Sequence, residues 1–429
     1  MPAGRAAPEP CQPDLFAAEP PVIPAAAPRP ADLAEELAAF CEFGERTQME
    51  EHALPDCPRV PVFINEYWTA GQRQAHSLHE VSYRACFKPQ LPRFFIERLT
   101  APGDVVYDPF MGRGTTLLEA ALLGRVPWGC DINPLSPILV RPRLEPPTVD
   151  DLTERAAALP LDLAVESWDD LLVFYHPTVL RAVSSMRHHF HQPEREPVDR
   201  WLRMVATNRL TGHSTGFFSV YSLPPNQAVS IKSQQRINEK RNQTPPERDV
   251  RAILVKKSKQ LLKDFSTYER GILAGVAPQA RLVTASCDAT PQLPDSSVSL
   301  AVTSPPFLSE VQYDIDNWLR CWFNHIDSKA ISIWQIRRAE EWQERMTGVF
   351  RELHRVLKPG GHVAFEVGEI RQGSLRMEDL VVPAALRAGL QPVLIMINAQ
   401  EFTKTSNCWG ITNQEHGTNT NRIVLLRKA

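Results

Sequence analysis

Two short strings in this chain combine residue types that could do chemistry together. The first is Asp108-Pro109-Phe110-Met111-Gly112-Arg113-Gly114-Thr115-Thr116. Glycine has no Cβ, so Gly112 and Gly114 let the backbone come close to a ligand. A helix starting just beyond them would offer unpaired N–H groups and a positive dipole end, which suits a carboxylate-bearing ligand. The second string is Thr303-Ser304-Pro305-Pro306-Phe307. An amine whose lone pair is delocalised into an aromatic ring is a poor nucleophile. To react, it needs acceptors that orient both its N–H bonds. The Ser304 hydroxyl and the Pro305 carbonyl are such acceptors; two prolines hold that carbonyl rigid and remove competing donors. Phe307 offers a face on which a flat ring could stack.

The surrounding pattern supplies elements to position both strings. Pro92 to Leu99 reads as a helix. Val105 to Tyr107 reads as a short buried strand ending at Asp108, and Thr115 to Leu123 as a helix stopped by Gly124. Pro127 to Cys130 is a second strand ending at Asp131, a carboxylate placed to accept hydrogen bonds from sugar hydroxyls. Strand, glycine loop, helix, strand and acid make the first half of a doubly wound nucleotide-binding sheet. The alternation resumes with strands at Arg281–Ala285 and Val298–Val302, a helix from Trp342 to Leu357, the turn Lys358 to Gly361, and a strand from His362 to Val367. A helix from Leu380 to Ala388 and strands at Pro392–Ile397 and Arg422–Leu426 complete it. The expected fold is α/β, a doubly wound seven-stranded Rossmann-like sheet whose last two strands pair at one edge, with a mostly helical insertion. Residues 1–30 are Pro- and Ala-rich and read as a disordered tail. Residues 31–140 and 280–429 form the two parts of the sheet domain, and 141–279 the insertion. Ala31 to Phe43 reads as a short helix, and the stretch from there to about Gln74 as irregular.

Composition narrows the function classes. Hydrophobic content of 43% and charged content of 23% are those of a globular domain. A net charge of −3 means that any basic surface must be local. One exists: Lys232 to Lys263 carries ten Lys or Arg against three acids. Eight cysteines without a C-x-x-C pair argue against a zinc ribbon or a disulfide framework, and no metal is expected. No secretory signal or membrane-length apolar run is visible, so the expected compartment is the cytoplasm. His188, His189 and His191 read as a surface helix end. The only Pro-Cys dipeptide, Pro10-Cys11, lies in the tail, which sets aside cysteine attack on a cytosine ring.

These strings resemble the amino-methyltransferase family of DNA methylases, which act on cytosine N4 or adenine N6. The resemblance covers about Gln74 to Pro137 and Arg281 to Ala429. The D-P-F-x-G-x-G-T-T string resembles the family's cofactor motif and implies S-adenosylmethionine as cofactor, held around Asp108, Phe110, Gly112, Gly114, Thr115 and Thr116. His76 to His79 and Phe87-Lys88-Pro89 resemble the segment that caps the cofactor's methionine end, which brings in Lys88. Asp288 resembles the acid that contacts the adenine amino group. T-S-P-P-F resembles the catalytic motif, implying roles for Ser304, Pro305, Pro306 and Phe307. Adenine enzymes usually begin that tetrad with Asp or Asn and cytosine-N4 enzymes with Ser, so the motif is nearest to the N4 group.

The motif order departs from many relatives: here the catalytic string follows Thr116 by 187 positions. The insertion is the candidate target-recognition region, with Lys232, Arg236, Lys240, Arg241, Arg248 and Arg251 as phosphate contacts. The expected partner is double-stranded DNA, with no membrane, and a cognate restriction endonuclease encoded elsewhere is a compatible one. Three other readings stay open: adenine N6 as target, RNA as substrate, and a non-catalytic binder on the same scaffold.

Overall fold

The computed structural model describes residues 33–68, 75–83, 86–166, 168–192, 196–223, 227–306, 316–334, 336–367, 369–370, 375–399 and 420–429. The strands are β1 (Gln48–His52), β2 (Val60–Asn65), β3 (Val105–Asp108), β4 (Val126–Asp131), β5 (Arg281–Thr284), β6 (Val298–Thr303), β7 (Leu357–Val367), β8 (Glu369–Ile370), β9 (Leu375–Arg376), β10 (Leu390–Ala399) and β11 (Thr420–Lys428). Nine of them form one sheet in the order β1-β2-β10-β11-β7-β6-β3-β4-β5; β8 and β9 pair separately. From β5 to β7 the neighbours run parallel, and β11 runs antiparallel to both β7 and β10. The segment β5 to β10 is a seven-stranded Rossmann-like sheet, built as the α/β pattern implies.

Three expectations need correction. The sheet has nine strands, not seven, because Gln48–His52 and Val60–Asn65 form a hairpin that β2 adds in parallel to β10. β1 is polar and almost wholly exposed, and the short apolar run of β2 is interrupted by Pro61, which cannot donate to a strand ladder, so neither announces itself as a strand. The β10–β11 pair joins the parallel strands at β7, as expected, but it is not the edge of the whole sheet, because the β1–β2 hairpin continues the sheet beyond β10. The Lys358–Gly361 stretch does not separate helix from strand. It belongs to β7, which begins at Leu357 and takes up the irregularity as a register shift against β6.

Side-chain alternation along the strands builds two apolar layers. Val106, Leu300, Val302 and Ala364 face the helix Gln90–Leu99 through Phe94, Phe95 and Ile96. Tyr107, Ala301, Val363 and Phe365 face the helix Ala339–Val356. That helix buries Trp342, Met346, Val349, Phe350, Leu353 and Val356, a stripe at helical spacing. The insertion is helical: Val149–Ala158, Pro177–His189, Pro197–Arg209, Ile231–Arg241, Val250–Leu261 and Thr267–Val276. Its buried Trp201, Leu202 and Leu254 join one apolar cluster with Leu117, Leu118 and Val140 from beside the glycine loop. Among the described residues, no helix is long and apolar enough to cross a membrane.

Candidate active site

The sheet changes direction between β3 and β6. From β3 the chain goes outward to β4 and β5, then returns to β6 on the other side. In an open α/β sheet, ligands bind at the carboxyl ends of the strands beside such a switch point. Val106 pairs with Leu300 and Tyr107 with Ala301, so the glycine string leaves β3 beside the point where Ser304 leaves β6. The separation of 187 residues in sequence thus closes to adjacent strand ends.

An open cavity of about 750 Å³ lies there, and it brings together Phe110, Gly112, Asp131, Ser304 and Pro306. Tyr83, Ile132, Asn133, Cys287 and Trp334 also line it. The glycine turn is shaped by its backbone. Gly114 has φ +80°, and a Cβ there would lie 2.5 Å from Val140 Cγ2, so no other residue fits without a shift. Asp131 accepts hydrogen bonds from the backbone N–H of Gly112 (2.8 Å) and of Asn133 (2.8 Å). Burial raises its pKa, against these bonds. Each oxygen keeps a lone pair for a sugar hydroxyl.

Asp108 lies behind the cavity wall. It is buried and accepts from the Phe110 N–H (3.0 Å) and the Thr303 hydroxyl (2.6 Å). Desolvation pushes its pKa up to about 7, against those hydrogen bonds. It therefore ties the two motifs to each other. Thr115 and Thr116 are buried at the start of the helix Thr115–Leu122; Thr116 donates to the Val302 carbonyl (3.1 Å), a second tie to β6. Lys88 is exposed, and Asp288 accepts from the Ser286 hydroxyl (2.5 Å); neither lines the cavity. Pro305 is buried, the Pro306 carbonyl accepts from Trp342 Nε1 (3.1 Å), and Phe307 lies outside the described residues.

Several residues escaped the sequence reading. Glu366, on β7, is buried, and burial raises its pKa; the side chains of Ser304 and Asn421 hydrogen-bond its carboxylate, Asn421 at 2.7 Å. Its signal was a lone acid in a strand otherwise apolar on both faces. Trp334 meets Phe110 edge-to-face with ring centres 6.3 Å apart. No motif marks it, since it comes from a loop remote in sequence. Upstream, Arg113 donates to the carbonyls of His79 (3.1 Å) and Val81 (3.0 Å), and His79 pairs with buried Glu119 at 2.6 Å. These bonds dock the His76–His79 segment on the glycine loop.

Of the six basic residues of the insertion, Lys232, Arg236, Lys240 and Arg241 lie on the helix Ile231–Arg241, all four exposed. Arg241 is exposed with its guanidinium 3.8 Å from the Tyr221 ring centre, and Arg248 is not fully buried. Arg251 donates to the carbonyls of Ala156 (3.2 Å) and Leu159 (2.7 Å), clasping the end of the helix Val149–Ala158.

The strand order and the switch-point cavity define the class: a doubly wound Rossmann-like sheet with a nucleotide-type site. Residues 46–135 match the family model described as DNA methylase. The chain is 36% identical over 73 residues to the type II methyltransferase M.MjaII of Methanocaldococcus jannaschii, covering 17% of this chain and 13% of that one. It is 31% identical over 101 residues to M.BsoBI of Geobacillus stearothermophilus (23% and 20%). It is also 31% identical over 117 residues to M.MvaI of Kocuria varians (27% and 24%). The matched segments thus span at most 24% of these relatives' own length. Over this matched segment the chain is thus similar to the DNA methylases. The family's cofactor is S-adenosylmethionine, and the cavity fits it: a glycine turn, a carboxylate at the end of the second strand, and apolar walls from Ile132, Phe110 and Trp334.

Proposed function

We propose that this protein methylates the exocyclic amino group of a base in double-stranded DNA, with cytosine N4 as the target. One observation carries the reading: Gly112 and Asp131 share a single cavity with Ser304 and Pro306. Bound S-adenosylmethionine supplies an electrophilic methyl group. Asp131 would hold its sugar and the Phe110–Gly112 turn its methionine end; Thr115, Thr116, Gly114 and Asp108 shape that turn from behind. A base extruded from the duplex costs a few kcal/mol, which aromatic stacking and the pocket's acceptors offset.

Ser304 orients the amine. Its hydrogen bond with Glu366 uses the hydroxyl proton, which leaves the Oγ lone pairs to accept from the base N–H. Ser304 at the head of the tetrad, instead of an acid, is what supports cytosine over adenine. Lys232, Arg236 and Lys240 are the phosphate contacts best placed for a duplex. The resemblance to type II methyltransferases supports pairing with a restriction endonuclease encoded elsewhere. Free cysteines at Cys41, Cys57, Cys86, Cys130, Cys287 and Cys321 support a reducing cytoplasm as the compartment.

The test has two parts. Expression in a methylation-deficient host, followed by sequencing that reports N4-methylcytosine and N6-methyladenine, is expected to show marked cytosines in one sequence context. Ser304→Ala is expected to bind S-adenosylhomocysteine normally and to lose transfer by about 100-fold or more. Unmarked DNA, or near-normal turnover of that variant, would overturn the reading.

A further inference from the structure

A second cleft, of about 610 Å³, borders the cofactor cavity and shares Tyr83 with it. Its other walls come from three regions far apart in sequence: Glu80 to Ser82 before the glycine loop, Arg113 within that loop, and Arg209 and Lys257 from the insertion. Three cations thus face one carboxylate. Arg209 is 9% exposed and Lys257 7%, and buried cations are costly unless an anion pairs with them. Lys257 has Glu80 at 3.4 Å, but Glu80 is shared with Lys263 at 3.5 Å and with the Gln260 amide.

Arg209 spends Nε and Nη2 on the carbonyl and side chain of Asn208, which leaves Nη1 for a ligand. Among the described residues, neither Arg113 nor Arg209 has a carboxylate in ion-pair contact. Buried Arg143 and half-buried Arg320 add to the excess. Arg143 donates to the Arg113 carbonyl, and Arg320 repels Arg209. Burial, then the charge of Arg320, lowers the pKa of Arg209 to about 10, and burial, then the charge of Arg209, lowers that of Lys257 despite Glu80; the Arg209 guanidinium also lies 4.1 Å from the Phe217 ring centre, so the cluster holds more cations than carboxylates.

We infer that this cleft holds a backbone phosphate of the DNA strand whose base enters the neighbouring cavity, with Arg209 and Lys257 as its ligands. The inference rests on the DNA reading above. The cleft is open, as a continuous strand requires, and a phosphate seated in it would touch both the insertion and the glycine loop. Target binding would then be coupled to the cofactor turn through Arg113.

The experiment measures binding of a fluorescently labelled DNA duplex across a salt series, and binding of S-adenosylhomocysteine by calorimetry. Arg209→Gln and Lys257→Gln are each expected to weaken duplex binding about tenfold and to reduce the salt slope by about 0.9, with S-adenosylhomocysteine affinity unchanged. Glu80→Gln is expected to tighten duplex binding, an outcome that misfolding cannot produce. Unchanged duplex affinity in all three variants would overturn the inference. So would weakened S-adenosylhomocysteine binding with unchanged duplex binding, which would assign the cleft to the cofactor's carboxylate. If the unaltered protein binds duplex and the variants match it, only the cleft assignment fails; if the unaltered protein binds no duplex, the DNA reading fails with it.

Discussion

At Asp108 a carboxyl is held where water cannot reach it, and its folded pKa of about 7 stands above the ordinary 3.8. The folded state therefore favours the protonated form. The stabilisation from that group is complete below about pH 4 and is lost as pH rises through about 7. Asn keeps the oxygen that accepts from Phe110 and Thr303 but cannot ionise. Asp108→Asn is expected to gain stability relative to the unaltered protein as pH rises from about 4 to about 8, by on the order of a few kcal/mol; paired melting curves at several pH values would show it. A difference independent of pH would refute the assignment. At Gly114, a Cβ meets both a left-handed backbone angle and Val140. Gly114→Ala is expected to cost about 1–3 kcal/mol in denaturant unfolding and to weaken S-adenosylhomocysteine binding, because the turn must move.

Pairing of β3 with β6 turns two separate motifs into one site. Thr303 donates to Asp108 across that pair, and Thr116 reaches the Val302 carbonyl from the helix above. Thr303→Val keeps the shape and removes the donor, leaving a buried carboxyl short of a partner. The expected cost is about 1–3 kcal/mol in unfolding, with a larger loss of turnover than of cofactor affinity, since Ser304 is the next residue. Most elements at this scale were legible because buried parallel strands are apolar runs and their helices carry apolar stripes. The β1–β2 hairpin was not: β2 is held in the sheet by β10, which lies hundreds of positions later, its apolar run is short and broken by Pro61, and β1 is polar and exposed. The Lys358–Gly361 stretch read as a turn because such glycine pairs usually break strands; inside β7 it is the register shift, and the ladders with β6 and β11 run from His362 onward.

Across the molecule, the insertion shares a core with the helices beside the glycine loop, so a residue's charge does not reveal its task. Arg251 and Lys232 are both exposed on the same basic stretch, yet Arg251 is spent on the carbonyls of Ala156 and Leu159. Arg251→Ala is expected to lower the melting temperature by several degrees and to leave the salt slope of duplex binding unchanged. Lys232, Arg236 and Lys240, changed together to Gln, are expected to do the reverse, lowering the slope by about 0.9 for each phosphate no longer neutralised. Equal slopes in both variants would remove this helix from the interface.

The sequence by itself determined the motif chemistry, the strand-and-helix alternation, the cofactor loop at a strand end and the resemblance to the DNA methylases, because each is written in consecutive residues. Only the tertiary structure decided that Glu366 stands behind Ser304, that Trp334 closes the wall, that Asp108 serves as a tie between motifs, and that Arg209, Lys257 and Arg113 converge. Those facts are contacts between residues dozens to hundreds of positions apart. They follow from how the sheet reverses between β3 and β6 and how the insertion packs against it, which no local pattern records.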